Sequence, residues 1–194
     1  MPPSPSSHTI DTLYAVGRNV VGFQRLEQIL KRLCLTLPVC APLSKLQSKL
    51  EKRKTNSEFL TLRNAVEQWI GSAYEAPEPQ QGQQPDNEIM VTFGFELPWS
   101  QEYFDELSVE LDSLAQERNN LIHVDLAQLN FEDEAESTEL RIRLDAQNDR
   151  IERASEVLRA ILTKIQNTVR LLASDEVQEE LRTHLLNLPN GSES

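Results

Sequence analysis

The stretch Glu117-Arg118-Asn119-Asn120-Leu121-Ile122-His123 holds the residue types whose spacing can do chemistry. An imidazole titrates near neutrality and can move a proton. A guanidinium grips a phosphate with two parallel hydrogen bonds and stabilises a developing anion. With a ribose 2′-hydroxyl beside a phosphate, those two groups suffice for RNA cleavage without a metal, and the product is a 2′,3′-cyclic phosphate. Arg118 also breaks a local rule. Phe104, Leu107, Leu111 and Leu114 recur by three and four, and the next positions of that stripe are Arg118, Leu121 and Asp125. A guanidinium stands where a core leucine is expected, which is costly unless it is paired or used. On a straight α-helix Asn119 and His123, four apart, share a face, whereas Arg118 and His123, five apart, lie about 140° around the axis. The helix must therefore bend or end there, the pair must converge on a ligand lying across a groove, or a second copy related by a two-fold axis must supply the facing half.

The elements that position these residues read as helices. Residues 10–37 carry Leu13, Val16, Val20, Phe23, Leu26, Leu30 and Leu33 at helical spacing. Thr9 or Asp11 can cap that helix, and Pro38 stops it. A second helix opens with Pro42 near its first turn and carries Leu43, Leu46 and Leu50. It leaves Lys45, Lys49, Lys52, Arg53 and Lys54 as a basic patch, a candidate RNA-binding set whose alternative is a solvated face. A third runs from about Ser57 to Tyr74, with Phe59, Leu62, Val66, Trp69 and Ile70 on one stripe. The Pro- and Gln-rich residues 75–88 predict a mobile loop. Strict alternation of Ile89, Val91, Phe93, Phe95 and Leu97 predicts one short strand or extended arm in need of a partner, a second copy being one choice. Ser100 caps a helix over 101–129. After the acidic run Phe131 to Glu139, Ser137 and Thr138 can cap a helix over 138–173, in which Leu144, Ile151, Leu158, Ile165 and Leu172 repeat every seven residues. That is a bundle seam or coiled coil, loosened in its first third by Gln147 and Asn148. A last helix covers 175–187. The fold class is all-α, a mostly antiparallel helical bundle with one short strand or arm. Residues 1–9 read as a disordered start, 10–187 as a single helical domain, and 188–194 as a frayed tail.

Composition limits what this bundle can do. The 194 residues carry a net charge of −12, which excludes binding long nucleic acid through a whole-surface basic field. The charge is uneven: residues 1–70 sum to +5 and residues 71–194 to −17. Six glycines leave little room for a phosphate-cradling loop, and no P-loop, HExxH or GxSxG motif occurs. Cys34 and Cys40 match no zinc pair and read as small buried hydrophobes near a helix end, with a redox pair as the minor alternative. Three scattered histidines complete no metal site, so no metal and no cofactor are expected. His8 falls in the disordered start and His184 on a surface helix. Trp69 and Trp99 read as core or staple residues, and Glu132 with Asp133 as solvated acids. The start MPPSPSSHT has no secretory pattern, and no apolar run approaches the ~18 residues of a membrane span, so a cytoplasmic protein with no membrane partner is expected.

Arg118-Asn119-x-x-x-His123 resembles the signature of the HEPN superfamily, an arginine followed by a polar residue and, four to six residues on, a histidine. The resemblance covers residues 10–173 and its specificity rests on the six residues of that motif. It implies a compact helical bundle that dimerises and a metal-independent ribonuclease site built from both copies. It implies Arg118 and His123 as catalytic and Asn119 as orienting. Some members act as toxins or antiphage effectors, so RNA, a second copy and an antitoxin or RNA-binding partner protein are the implied partners. Tyr14 to Leu33 together with the motif is also similar to the helical region preceding an OST-HTH/LOTUS RNA-binding domain in bacterial proteins. Asp125 departs from one toxin class, which has at that position a tyrosine that a nucleotidylating antitoxin modifies. The competing reading is a non-catalytic helical dimerisation or interaction module, in which Arg118 pairs with Glu117, Asp125 or another carboxylate of the bundle.

Overall fold

The computed structural model describes residues 6–73, 89–95, 100–130 and 133–186. In chain order these form α1 (Ser7–Leu35), β1 (Val39–Pro42), α2 (Leu43–Glu58), α3 (Leu62–Ala73), β2 (Met90–Phe93), α4 (Gln101–Asn120), one π-helical turn (Leu121–Asp125), α5 (Leu126–Gln128), α6 (Glu134–Leu172) and α7 (Asp175–Leu186). The protein is an all-α helical bundle with a small two-stranded sheet. The loop expected at 75–88, Leu97, Trp99, Glu132 and the tail 188–194 lie outside the described residues.

Helix boundaries follow local chemistry. α1 starts three residues before the predicted Ile10: Ile10 N–H already donates to Ser6 O at 3.2 Å, and the Ser6 hydroxyl hydrogen-bonds with His8 Nε2 at 3.0 Å and Thr9 Oγ1 at 2.8 Å. The start expected to be disordered is therefore helical from Ser7, and His8 belongs to α1. At the other end Thr36 turns back, its N–H and hydroxyl both donating to Leu33 O, and Pro38 prevents further helix. α3 begins at Leu62 and not at Ser57, because α2 continues to Glu58 and Thr61 opens the next helix with its hydroxyl facing Asn64 N–H at 3.4 Å. Phe59, expected on the α3 stripe, sits in that turn and is 81% exposed. Ser100 does cap α4, accepting from Tyr103 N–H. α6 starts four residues before the predicted position. Asp133, and neither Ser137 nor Thr138, is its cap and accepts from Ala135 and Glu136 N–H. Glu134 and Glu136 then occupy the first turn, where negative charge meets the positive end of the helix dipole. The acidic run is thus partly a helix-start device.

The strand of residues 90–93 finds its partner within the chain. Val39 pairs with Phe93 and Pro42 with Met90 in an antiparallel ladder, so pairing between copies is not needed to satisfy it. Cys34 lies wholly buried with its Sγ 3.5 Å from Ala65 O. Burial pushes that thiol up to about 12, against the opposing charge of Arg53. Cys40 lies half-buried on β1, and both thiols are free.

The core gathers Phe23, Leu26, Leu30 and Leu33 of α1, Val66 and Trp69 of α3, Leu111 and Leu114 of α4, and Ile151, Leu158 and Ile165 of α6. Trp69 and Phe104 stack with ring centres 5.7 Å apart, joining α3 to α4. α1 and α6 run side by side in the same direction: Thr12 bonds to Ser137 O, Asn19 to Leu144 O, and Gly22 faces Ile151. α4 runs against α6, since Glu110 meets Arg150 and Asp125 meets Arg143. Gly22 permits the close approach of the parallel pair. A Cβ built there would stand 3.1 Å from Ile151 Cγ2. Gly22→Val is therefore expected to cost about 1–3 kcal/mol by overpacking. Urea unfolding would read this as a lower midpoint at unchanged slope, and an unchanged midpoint would refute the close contact.

Candidate functional site

The last turns of α4 set the site. Leu121 is buried and Leu126 half-buried, although five residues separate them. On a regular α-helix these two would point about 140° apart. The chain resolves this with the π turn: Leu126 N–H donates to Leu121 O, which stacks the two leucines on the core side. A single wide turn of this kind is rare and frequently occurs at functional sites. It carries His123, whose side chain is exposed.

Arg118 is half-buried on the stripe of Leu111 and Leu114, between the buried Leu114 and the buried Leu121. Its Nη1 donates to Asn119 Oδ1 at 3.1 Å. Among the described residues Arg118 has no ion pair. The carboxylates of Glu117 and Asp125, the candidate partners named from the sequence, are engaged elsewhere. Glu117 is held by Arg150 of α6, and Asp125 faces Arg143 of α6 at 3.4 Å. Burial pushes the Glu117 carboxyl up, but hydrogen bonds from Gln147, Arg150 and Ser113 and the charge of Arg150 outweigh it and hold the group below the ordinary carboxylate range. Arg150 is held strongly protonated, first by its hydrogen bonds to Glu110. The structure thus brings Arg118 and Asn119 together, while His123 makes no hydrogen bond to either among the described residues.

A groove of about 500 Å³ opens between the end of α4, the π turn and α6, lined among others by Asn120, Val124, Asp125, Arg143, Gln147 and Arg150. Arg118, Asn119 and His123 do not line it.

The basic patch lies elsewhere. Arg53 donates to the carbonyls of Leu37 and Pro38, and Lys49 to Cys40 O at 2.8 Å, so these two fasten the turn between α1 and β1. Burial lowers the Arg53 guanidinium, partly offset by Cys34. Lys45, Lys52 and Lys54 are exposed on α2. α2 adjoins α1 near Lys31, whose ammonium reaches Glu58 O, whereas the site adjoins α1 through Asn19. Those two positions are roughly 18 Å apart along the helix axis.

Sequence reasoning missed Asn19 and the acceptors of Arg150. Asn19 sits on the apolar stripe between Val16 and Phe23, and Glu110, Ser113 and Glu117 recur by three and four on one side of α4. Both patterns are visible once the facing helix is known. Among the described residues no group of three or more His, Cys, Asp or Glu is arranged to hold a metal ion, and no helix is long and apolar enough to cross a membrane. No protein-family model, curated protein or solved structure matches the chain.

Proposed function

We propose that the chain is a metal-independent endoribonuclease of the HEPN type, a cytoplasmic bacterial defence or toxin effector whose cleft forms between two copies. One observation carries this reading: a half-buried guanidinium, oriented by Asn119, with the carboxylates of Glu117 and Asp125 occupied by other arginines. Arg118 is therefore available to an external anion. His123 takes the proton of a ribose 2′-hydroxyl, the oxygen attacks the adjacent phosphorus, and the bond to the 5′-oxygen breaks. The leaving 5′-oxygen takes up a proton from water, and a 2′,3′-cyclic phosphate remains. Arg118 offsets the charge that builds on the phosphoryl oxygens. Lys45, Lys52 and Lys54 are free to meet flanking phosphates, whereas Lys49 and Arg53 are occupied with backbone carbonyls. An antitoxin or an RNA-binding protein completes the expected set of partners.

The full chain incubated with single-stranded RNA in a chelator is expected to give products ending in 2′,3′-cyclic phosphate. Absence of cleavage overturns the reading. The end of α6 favours the alternative, a non-catalytic dimerisation or interaction module. α1 stops at Leu35, yet the apolar repeat of α6 continues to Val169 and Leu172, which are 44% and 42% exposed. That module would dimerise and leave RNA intact.

A further inference from the structure

Asn19 is wholly buried among apolar side chains of α1 and α6, and every polar atom it carries is used. Its Nδ2 donates to Leu144 O and to Gln147 Oε1, each at 2.8 Å, while its Oδ1 accepts from Arg18 Nε at 3.3 Å. With Oε1 of Gln147 committed as an acceptor, Nε2 is left to donate, and it donates to Glu117 Oε2 at 2.9 Å. The other oxygen of Glu117 accepts from Arg150 Nη1 and from Ser113 Oγ at 3.1 Å. Arg150 continues to both oxygens of Glu110, at 2.8 and 2.9 Å. From Asn19 through Gln147 the donors run one way to Glu117, one residue before Arg118, and Arg150 donates into Glu117 from the other side, so the network joins three helices at that carboxylate.

Apolar contacts such as those of Leu111 and Leu114 are non-directional and tolerate small rotations of a helix. Buried hydrogen bonds do not, because a misdirected donor or acceptor is left unsatisfied. The rotation of the last turn of α4 is therefore set by Glu117. With its oxygens engaged by Gln147, Ser113 and Arg150, Glu117 is turned toward α6 and forms no ion pair with Arg118.

We propose that Asn19, Gln147, Glu117 and Arg150 form a positioning relay that sets the direction in which Arg118 is presented to a phosphate, a role that rests on the RNA-cleaving reading of Arg118.

Gln147→Glu tests this. The new carboxylate still accepts from Asn19, but it faces the carboxylate of Glu117. The other charged groups around it are Glu110 from α4, Asp125 from the π turn, Arg143 and Arg150 from α6, and the Arg18–Asp145 pair at the α1 edge. Two carboxylates in hydrogen-bond contact cannot both ionise at low cost, so the pair takes up one proton as the pH falls. The protonated form donates as the amide did.

RNA cleavage by Gln147→Glu is expected to lie within about threefold of wild type at about pH 5.5 and at least about tenfold below it at about pH 8. Wild type has no such limb, and Gln147→Leu, which cannot titrate, should lose about the same factor at both values. Amide hydrogen exchange over residues 119–126, corrected for intrinsic rates, should be faster in Gln147→Glu at high pH and return toward wild type at low pH. Parallel pH profiles with unchanged exchange overturn the relay. If wild type does not cleave RNA, the proposed function fails and the exchange measurement alone decides the relay. If Gln147→Glu does not fold at high pH, Gln147→Leu decides: faster exchange over 119–126 supports the relay and unchanged exchange overturns it.

Discussion

Mixing Arg118→Ala chains with His123→Ala chains is expected to restore RNA cleavage that neither has alone. Each variant by itself should lose about 100-fold or more, the usual scale for removing a general base or a group that stabilises a developing oxyanion. The restoration follows from geometry. Arg118 and His123 are five residues apart on one continuous helix, start about 140° apart around its axis, and make no hydrogen bond to each other. The wide π turn reduces that offset without stacking the two, since the pair it stacks is Leu121 and Leu126. A phosphate and the 2′-hydroxyl beside it are more easily spanned by Arg118 of one copy and His123 of another. A two-fold dimer then holds two composite sites. In a mixed dimer one site carries both substitutions and the other carries none. Co-expressed with separate tags, random mixtures should reach about a quarter of wild-type activity, from half the dimers with one intact site each. Purified mixed dimers with no activity would place both groups in the same copy and overturn the composite site.

The parts of this fold that show in the sequence are those governed by local chemistry. Ser100, Pro38 and Pro42 mark element ends because capping and proline geometry need no tertiary partner. The heptad of α6 shows because a long seam repeats. The partner of that seam does not show. α1 and α6 are far apart in sequence and lie parallel, and the local traces of their contact, Asn19 on the apolar stripe and Gly22, mean nothing until Leu144 and Ile151 face them. β1 is four residues that follow Pro38 and end on Pro42, and it cannot be told from a linker until Val39–Pro42 pairs with β2. At the site, the oddity of Arg118 was legible as a charge on an apolar stripe. The π turn was also written there, in the five-residue step from Leu121 to Leu126, which a regular helix cannot bury on one side. Gln147 read as a flaw in the seam. It is instead the middle of a hydrogen-bonded chain whose other members, Asn19 and Glu117, stand on two other helices. The partners of such a chain stand on different helices, so even the regular spacing of Glu110, Ser113 and Glu117 has no meaning until α6 faces it.

The second large effect expected is on stability. Arg150→Met keeps the unbranched stem of the side chain and removes its contacts with Glu110, Glu117 and Ser113. Breaking such a pair costs more than the pair contributes, because a desolvated carboxylate is left behind. The side chains of Arg150 and Glu117 are 28% and 29% exposed, so solvent softens the penalty to roughly 2–3 kcal/mol near neutral pH. The pH dependence carries the sign. In wild type the carboxyl of Glu117 is held below its ordinary value of 4.5. It therefore stabilises the fold above that value, and the contribution is lost as the pH falls through the depressed folded value. In Arg150→Met the hydrogen bonds and charge of Arg150 are gone, while burial and the hydrogen bonds from Gln147 and Ser113 remain. The folded carboxyl then binds a proton more readily than it does in wild type, so the variant loses less stability than wild type as the pH falls from 7 toward about 4. Urea unfolding at the two pH values should show the gap between the proteins narrowing on acidification, and Glu117→Gln in the Arg150→Met background should narrow it at pH 7. A gap that stays constant from pH 7 to about pH 4 would mean that Glu117 does not depend on Arg150, and with it the last link before Arg118 would be lost.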